Sequence, residues 1–349
     1  MTADVREAGA ASEQSGHAPT LEDVAELAGV SRSTASRAIN GGLKVSAQAQ
    51  DAVDAAVAQL GYTPNRAARS LVTRRTDSIA LVVPEPDEKV LNDPYFAGTL
   101  RGITAALDDT EIQLVLLIAR RGQETQRTTR YLRNGHVDGA IVVSHHRDDS
   151  LASVLADSRL PCVFVGRPWP GSPPLPYVDV DNRLGGRRAT EHLIAAGCRR
   201  IGTVAGPLDM AAGVDRLAGW RDALSAAGLP DEAMVRGDFT TAGGVAATER
   251  LLAAHPDIDG LFAASDLMAS GALQVLERTG RTVPGDVRVI GFDDLGVAAS
   301  STPALSTMSN PVVEMSRAAA EMLLERITSR TSPVEARIFD AEVVVRASS

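Results

Sequence analysis

Few backbone arrangements satisfy residues 20–40, TLEDVAELAGVSRSTASRAIN. Leu21, Val24, Ala25 and Ala28 recur at helical spacing. Thr20 is an N-cap residue type, and Glu22 and Asp23 fall in the first turn, where the helix dipole favours negative charge. Gly29 ends that helix, because glycine takes the left-handed C-terminal conformation at little cost. Val30 packs back, and Ser31 caps a second helix whose Ala35, Ala38 and Ile39 share one face. The opposite face carries Arg32, Ser33, Ser36, Arg37 and Asn40, with no acid among them. Two helices joined through a tight glycine turn predict a helix-turn-helix, whose donor-rich second helix suits a major groove.

Residues 47–60, AQAQDAVDAAVAQL, predict a third helix capped by Ser46 and closed by Gly61, with Val53, Ala56, Val57 and Leu60 completing a small core. YTPNRAARSLVTRR follows, and Asn65–Val72 within it reads as a short helix, marginal by itself in water. LEDVAELAGVSRSTASRAIN, then KVS, then GYTPNRAARSL resembles, in register from Thr20 to Leu71, the DNA-binding head of the LacI/GalR family of bacterial transcription regulators. The resemblance implies that Ser31, Thr34, Ser36 and Asn40 meet the DNA backbone and that Arg32, Ser33 and Arg37 meet bases. Thr20, Leu21, Asn65, Ala68 and Arg69 complete the DNA-facing set. Leu71 is implied as an apolar wedge in the minor groove, the alternative being packing against a dimer mate.

A formal net charge of −9 looks wrong for a DNA binder until it is localised. Ser31–Gln50 holds Arg32, Arg37 and Lys44, and Tyr62–Arg75 holds Arg66, Arg69, Arg74 and Arg75, both without an acid. The excess acid therefore belongs to the rest of the chain, which leaves one end to face DNA. Cys162 and Cys198 belong to no CxxC pair, which argues against a disulfide framework and for a reducing cytoplasm. Residues 1–18 read as a disordered leader without an apolar signal core, and no run of eighteen apolar residues suggests a membrane span.

From Ile79 the texture changes. Apolar runs at Ile79–Val83, Ile112–Ile118, Ala140–Val143, Cys162–Val165, Ile201–Val204, Leu261–Ala264 and Val287–Phe292 read as strands buried on both faces. Helical segments alternate with them, at Gly98–Leu107, Thr125–Asn134, Leu184–Ala196, Leu217–Ala227, Gly244–Ala254, Met268–Thr279 and Glu314–Ile327. The class is α/β with parallel sheets. Near Asp179 the series begins again, which suggests two lobes. The resemblance implies a two-lobed, periplasmic-binding-protein-like body from residue 77 to 349, behind a head at 19–63 and a hinge and linker at 64–76. Lobe one would take about 77–178 and 307–327, and lobe two about 179–306 and 328–349, with Ala336–Val345 returning to the second lobe.

Ligands in open α/β sheets bind beyond the carboxyl ends of strands. Tyr95 and Phe96 follow the first strand and either stack on a ligand ring or pack beneath the loop. Asp181, Arg216, Phe239, Ser265 and Asp293 match the family's effector positions. Gly166 stands where several relatives carry an acid, which leaves Arg167 the nearer polar group, and Asp266 either touches ligand or caps the helix after it. Carboxylates and arginine form paired hydrogen bonds with vicinal hydroxyls, and an aromatic face covers the apolar side of a pyranose. None of the six histidines has metal-ligand spacing; His145 and His146, after a strand end, read as a solvated loop. Gly185 and Gly186 open a helix, for phosphate or for packing. No catalytic motif, metal or cofactor is expected. The expectation is a cytoplasmic homodimer, or a higher assembly of it, that binds double-stranded operator DNA and represses a carbohydrate operon under control of a small sugar. A sugar-binding transport protein leaves the head unexplained, and an enzyme of sugar or nucleotide metabolism lacks a nucleophile, base or metal set.

Overall fold

The computed structural model describes residues 18–40, 45–63, 75–119, 123–329 and 335–349. It divides into two units, Met1–Thr76 and Asp77–Ser349.

The first unit holds α1 (Leu21–Leu27), α2 (Arg32–Ile39) and α3 (Ala47–Leu60). Thr20 and Asp23 cap α1 reciprocally: the Asp23 carboxylate accepts from Thr20 N at 2.7 Å and Thr20 Oγ1 accepts from Asp23 N at 3.3 Å. Gly29 takes φ +63°, and Val30 turns back so that its N–H reaches Ala25 O at 3.0 Å. Ser31 caps α2 through Thr34 N at 3.1 Å. Val24, Ala25, Ala35, Ala38, Val53 and Ala56 form the buried centre. Most of these side chains are methyl groups, so the helices approach closely around a small core.

In the second unit the chain runs through β1 (Ser78–Val83), α4 (Asp87–Asn92), α5 (Pro94–Leu107), β2 (Gln113–Ile118), α6 (Gln123–Arg133), β3 (Gly139–Val143), α7 (Leu151–Ala156), β4 (Cys162–Val165) and β5 (Tyr177–Val180). It continues as α8 (Asn182–Ala195), β6 (Ile201–Ala205), α9 (Ala211–Ala227), β7 (Met234–Arg236), α10 (Thr241–Ala254), β8 (Gly260–Ala263), α11 (Asp266–Arg278) and β9 (Arg288–Ile290). The last elements are α12 (Val297–Ser300), β10 (Thr307–Met308), α13 (Val312–Thr328), β11 (Ala336–Phe339) and β12 (Val343–Val344).

Two parallel sheets result, ordered β11-β5-β4-β3-β1-β2 and β7-β6-β8-β9, with an antiparallel β10-β12 pair beside them. Parallel strands need covering on both faces, which is why β1, β3 and β4 are continuous apolar runs. Each large aliphatic buried here, such as Ile103 or Leu323, contributes roughly 1.5–3 kcal/mol.

Two expectations change. Ile112–Ile118 reads as a strand buried on both faces, but β2 is the sheet edge, and Leu116 remains 39% exposed. The segment Ala336–Val345 does not return as a piece to the second lobe: Ala336–Phe339 pairs with Tyr177–Val180 in the first sheet. Only beyond it does the chain reach the second lobe, where Ser348 O accepts from Val289 N at 2.8 Å. An alternating stretch of this kind can join either sheet edge, so its partner was not readable locally. The chain passes from the first sheet to the second after β5.

Candidate functional site

In the first unit, α2 presents Arg32, Ser33, Arg37 and Asn40 on its exposed side, while Thr34 and Ser36 are half-buried. Arg37 is steadied by Nε donating to Ser33 O at 3.1 Å, and Asn40 Nδ2 donates to Ser36 O at 2.7 Å. Ser31 is exposed, and its Oγ serves the cap. Arg32 Nε is paired with Glu22 of α1. Both partners are well exposed, so the pair is weak and exchangeable for another anion. Thr20 and Leu21 are half-buried at the start of α1. Asn65, Ala68, Arg69 and Leu71 lie outside the described residues.

In the second unit a cavity lies between the lobes. Its walls are the residues that follow strand carboxyl ends. Lys89, Asp93 and Tyr95 come after β1, Ser144 and His145 after β3, and Gly166 and Arg167 after β4. Asp179 and Asn182 come with β5, Arg216 after β6, Ser265 after β8 and Asp293 after β9.

Arg216 is the centre. It is 5% exposed; its Nε donates to Asn182 Oδ1 at 2.8 Å and its Nη1 to Ala264 O at 2.6 Å and to Asp293 Oδ1 at 3.4 Å. The guanidinium stacks 3.6 Å over Phe292 and lies 5.8 Å from the Phe239 ring. Phe239 and Asp293 hold φ of +67° and +129°, conformations that cost side-chain-bearing residues about 1–3 kcal/mol and that cluster at ligand sites. Asn310 Nδ2 donates to Asp293 Oδ1 at 3.2 Å, while its own buried Oδ1 has no hydrogen-bond partner among the described residues.

Burial dominates the electrostatics. It raises the carboxyls of Asp93 and Asp179 to about 6 and raises that of Asp293, which Arg216 and Asn310 partly offset. It also raises the Tyr95 phenol, so Tyr95 stays neutral. Burial lowers His145 to about 4, which leaves a neutral ring at physiological pH. His145 Nε2 lies 3.1 Å from Arg167 O, a pure acceptor, so Nε2 carries the proton and Nδ1, which has no hydrogen-bond partner among the described residues, is left as an acceptor. The cavity thus offers one buried cation, several acceptors and an aromatic face, an inventory suited to an uncharged polyol.

Tyr95, Phe96, Arg167, Arg216, Phe239, Ser265 and Asp293 are brought together around this cavity. Phe96 is also core, 2% exposed and edge-on to Tyr95 with centroids 5.5 Å apart. Ser265 caps α11 through Met268 N at 3.2 Å. Arg167 Nη2 bonds Asp215 Oδ2 at 2.6 Å. Asp181 and Asp266 are not among the lining residues. Asp181 Oδ1 caps α8 by accepting from Leu184 N at 2.9 Å. Asp266 instead braces the loops: its carboxylate accepts from Thr307 Oγ1 at 2.6 Å and from Asp294 N at 2.8 Å. The cap that Asp266 was a candidate for belongs to Ser265.

The sequence reading overlooked Lys89, Asp93, Asp179, Asn182 and Asn310. DVDN contains the signal for two of them. Residues 179 and 181 would share a face on a continued strand, but β5 ends at Val180 and Asp181 is taken by the α8 cap, so Asp179 is the acid left lining the site. His145 and His146 are not solvated: they are 9% and 8% exposed. They do diverge as adjacent residues should, His145 into the cavity and His146 toward Glu85 and Asp209. Gly185 and Gly186 serve packing, since a Cβ would meet Phe292 Cε2 at 2.7 Å and Arg216 O at 2.3 Å respectively.

The family model described as bacterial regulatory proteins, lacI family, matches residues 20–65, and that of the periplasmic binding protein-like domain matches residues 190–349. The HTH-type transcriptional regulator CelR of Thermobifida fusca is 49% identical over 334 residues, 95% of this chain and 98% of that protein. Among solved structures, a transcriptional regulator CelR–cellobiose complex is 46% identical with a TM-score of 0.76, covering 95% of this chain and 100% of that one. The lac repressor dimer bound to operator and the anti-inducer ONPF is 26% identical with a TM-score of 0.84, covering 95% and 99%.

Proposed function

This chain belongs to the lacI family of bacterial regulatory proteins, as a sequence-specific DNA-binding transcription regulator, and we propose that it represses a carbohydrate-utilisation operon in response to a β-linked glucose disaccharide. The observation that carries the ligand class is the Arg216 cluster: one buried guanidinium shared by Asn182, Asp293 and a backbone carbonyl, with Phe239 beside it. Vicinal hydroxyls can replace or extend those hydrogen bonds, and the aromatic ring takes a pyranose face. The cellobiose held by the CelR relative supports a glucose dimer as first candidate.

In this reading the protein acts as a homodimer on a near-palindromic operator, because two-fold protein symmetry calls for two-fold DNA symmetry. The lac repressor relative is a dimer on its operator. The apolar edge strand β2, with Leu116 exposed, supplies a surface for a second copy. A regulator of chromosomal operators would act in the cytoplasm. Arg32, Ser33 and Arg37 read bases, while Thr20, Leu21, Ser31, Thr34, Ser36 and Asn40 serve the phosphate backbone. Asn65, Ala68 and Arg69 complete the proposed DNA-facing set, with Leu71 as the apolar wedge for the minor groove.

The test is a gel shift with fragments upstream of the gene, titrated with glucose, cellobiose, lactose and ribose. Release by cellobiose at concentrations where the others do nothing is expected. Tight operator binding that no saccharide alters would remove the proposed signal but leave the DNA-binding assignment standing.

A further inference from the structure

The cavity around Arg216 does not end at Phe239. A second, more open chamber adjoins it, and the two share Lys89, Asp93, Phe239 and Leu267. We propose that this outer chamber is a second saccharide subsite, so that the effector class extends to linear β-linked oligosaccharides. Their chain would run from Arg216 past Phe239 toward Thr241. The proposal rests on the saccharide reading of the inner cavity and adds to it the length of the ligand.

Phe239 is the neck. Its ring lies 5.8 Å from the Arg216 guanidinium of the inner cavity and 6.0 Å from Lys89 Nζ at the junction. The left-handed backbone at Phe239 is a conformation that the surroundings must hold in place, and here it brings an aromatic face to the boundary between the chambers. Sugar rings joined in a chain can pass such a face in sequence, because each presents C–H groups on one side and hydroxyls at its edge.

The outer walls come from both lobes: Asn92 on α4 faces the chamber from one side, and Asp238, Thr240 and Thr241 face it from the other. They are polar but not cationic. Among the described residues Lys89 is the one Lys or Arg in the lining and is paired with Glu85 at 2.7 Å, while Glu88, Asp93 and Asp238 add acid. A phosphorylated sugar or other anion is therefore disfavoured, and neutral hydroxyls that both donate and accept are suited. Asp238 and Thr240 are already tied to each other, Thr240 Oγ1 donating to Asp238 Oδ1 at 2.7 Å, which fixes the wall rather than leaving it to collapse.

The experiment is calorimetric titration of the full chain with glucose, cellobiose, and the β-1,4-linked glucose trimer and tetramer. Thr241→Trp and, from the opposite wall, Asn92→Trp are compared with the parent, with melting temperatures as folding controls. The parent is expected to bind trimer at least as tightly as dimer. Each tryptophan should weaken trimer tenfold or more and dimer less than threefold. A parent that binds trimer tenfold more weakly than dimer would overturn the outer subsite and leave the disaccharide reading intact. Equal losses of dimer and trimer in both folded variants would also overturn it. If no glucose oligomer binds at all, the saccharide reading fails and the subsite falls with it.

Discussion

His146 Nδ1 lies 2.9 Å from Asp209 Oδ2, a contact that ties the first lobe to the second. The other ring nitrogen, Nε2, lies 3.2 Å from Glu85 Oε1. Beside them Arg147 N donates to Asp209 O at 2.7 Å and Arg147 Nη2 to Leu208 O at 2.9 Å. The short segment after β3 therefore holds the lobes together, alongside the Arg167–Asp215 pair after β4. Only a ring protonated on both nitrogens donates to both carboxylates.

His146→Ala should loosen the closed arrangement. Asp209 keeps 35% of its side chain exposed, so solvent screens part of the interaction and the loss is about 1 kcal/mol rather than that of a fully buried pair. Saccharide affinity should fall by roughly fivefold. Small-angle scattering of the ligand-free variant should show a larger radius of gyration than the parent. An unchanged radius with unchanged affinity would mean that the Arg147 backbone contact suffices.

Arg216→Ala removes the shared cation from Asn182, Asp293 and Ala264 O. Truncating one member of a buried, hydrogen-bonded charge pair costs about 2–5 kcal/mol, so saccharide affinity should drop at least thirtyfold and the melting temperature should fall. Operator binding without saccharide should persist, because the helix-turn-helix belongs to the other unit. A variant still released by saccharide at the parent's concentration would displace Arg216 from the centre of the site.

The alternation of apolar runs and helices was enough to read the class, the two lobes and most strand ends. It could not place β11, because Ala336–Phe339 is short, alternating and partly exposed, and edge pairing is decided by long-range geometry. In the cleft, arginine and aromatics were readable since few other reasons put them after strands. Acids were harder. Asp181 and Asp179 are two residues apart, and whether the strand or the following helix claims one depends on where the strand ends. Asp266 and Ser265 compete in the same way for one cap, and serine won it. Asn310 and Lys89 carried no pattern at all; they reach the site through loop geometry alone.

The pH dependence of stability follows from Asp179. Burial lifts its carboxyl to about 6, although Arg167 N, Val180 N and Asn182 Nδ2 all donate to it. An acid with a raised folded value binds protons more tightly folded than unfolded. Its contribution is thus fully present below about 4 and lost as pH climbs through about 6, by at most about 3 kcal/mol. Asp179→Asn should flatten the fall in melting temperature between pH 4.5 and 7, tested by calorimetric scans across that window (roughly 2–4 °C per kcal/mol). Glu85, held down at about 2 against burial by His146 and Lys89, has the opposite sign. It loses its contribution only as pH falls below about 4.5, outside that window. Identical slopes for parent and variant would assign the effect to Asp266, whose carboxyl burial raises to about 7, or to Asp93 or Asp293.

Arg37 is exposed on α2, its Nε donating to Ser33 O; the proposed base-reading role is tested by substitution. Arg37→Ala should cost about 1–3 kcal/mol at the operator and relax base preference at one position of each half-site. Binding to an operator and to a scrambled duplex, measured at one salt concentration, distinguishes base reading from phosphate contact. Equal losses on both duplexes would make Arg37 a phosphate contact.

The saccharide can shift the DNA-competent population only by its differential affinity for the two states, and that difference is reciprocal. If cellobiose weakens operator binding by some factor, operator must weaken cellobiose binding by the same factor. Residues 64–76 join the two units in sequence, so whatever passes between cavity and helix-turn-helix within one chain passes through them. Lobe closure around Arg216 and Asp293 is expected to disfavour the operator-bound arrangement of the paired hinge segments. Titrating cellobiose into the free protein and into its operator complex should give dissociation constants that differ by the same ratio as the operator constants with and without sugar. Equal cellobiose affinities in the two titrations would uncouple the cavity from the DNA-binding head, and the regulatory signal would then have to enter elsewhere.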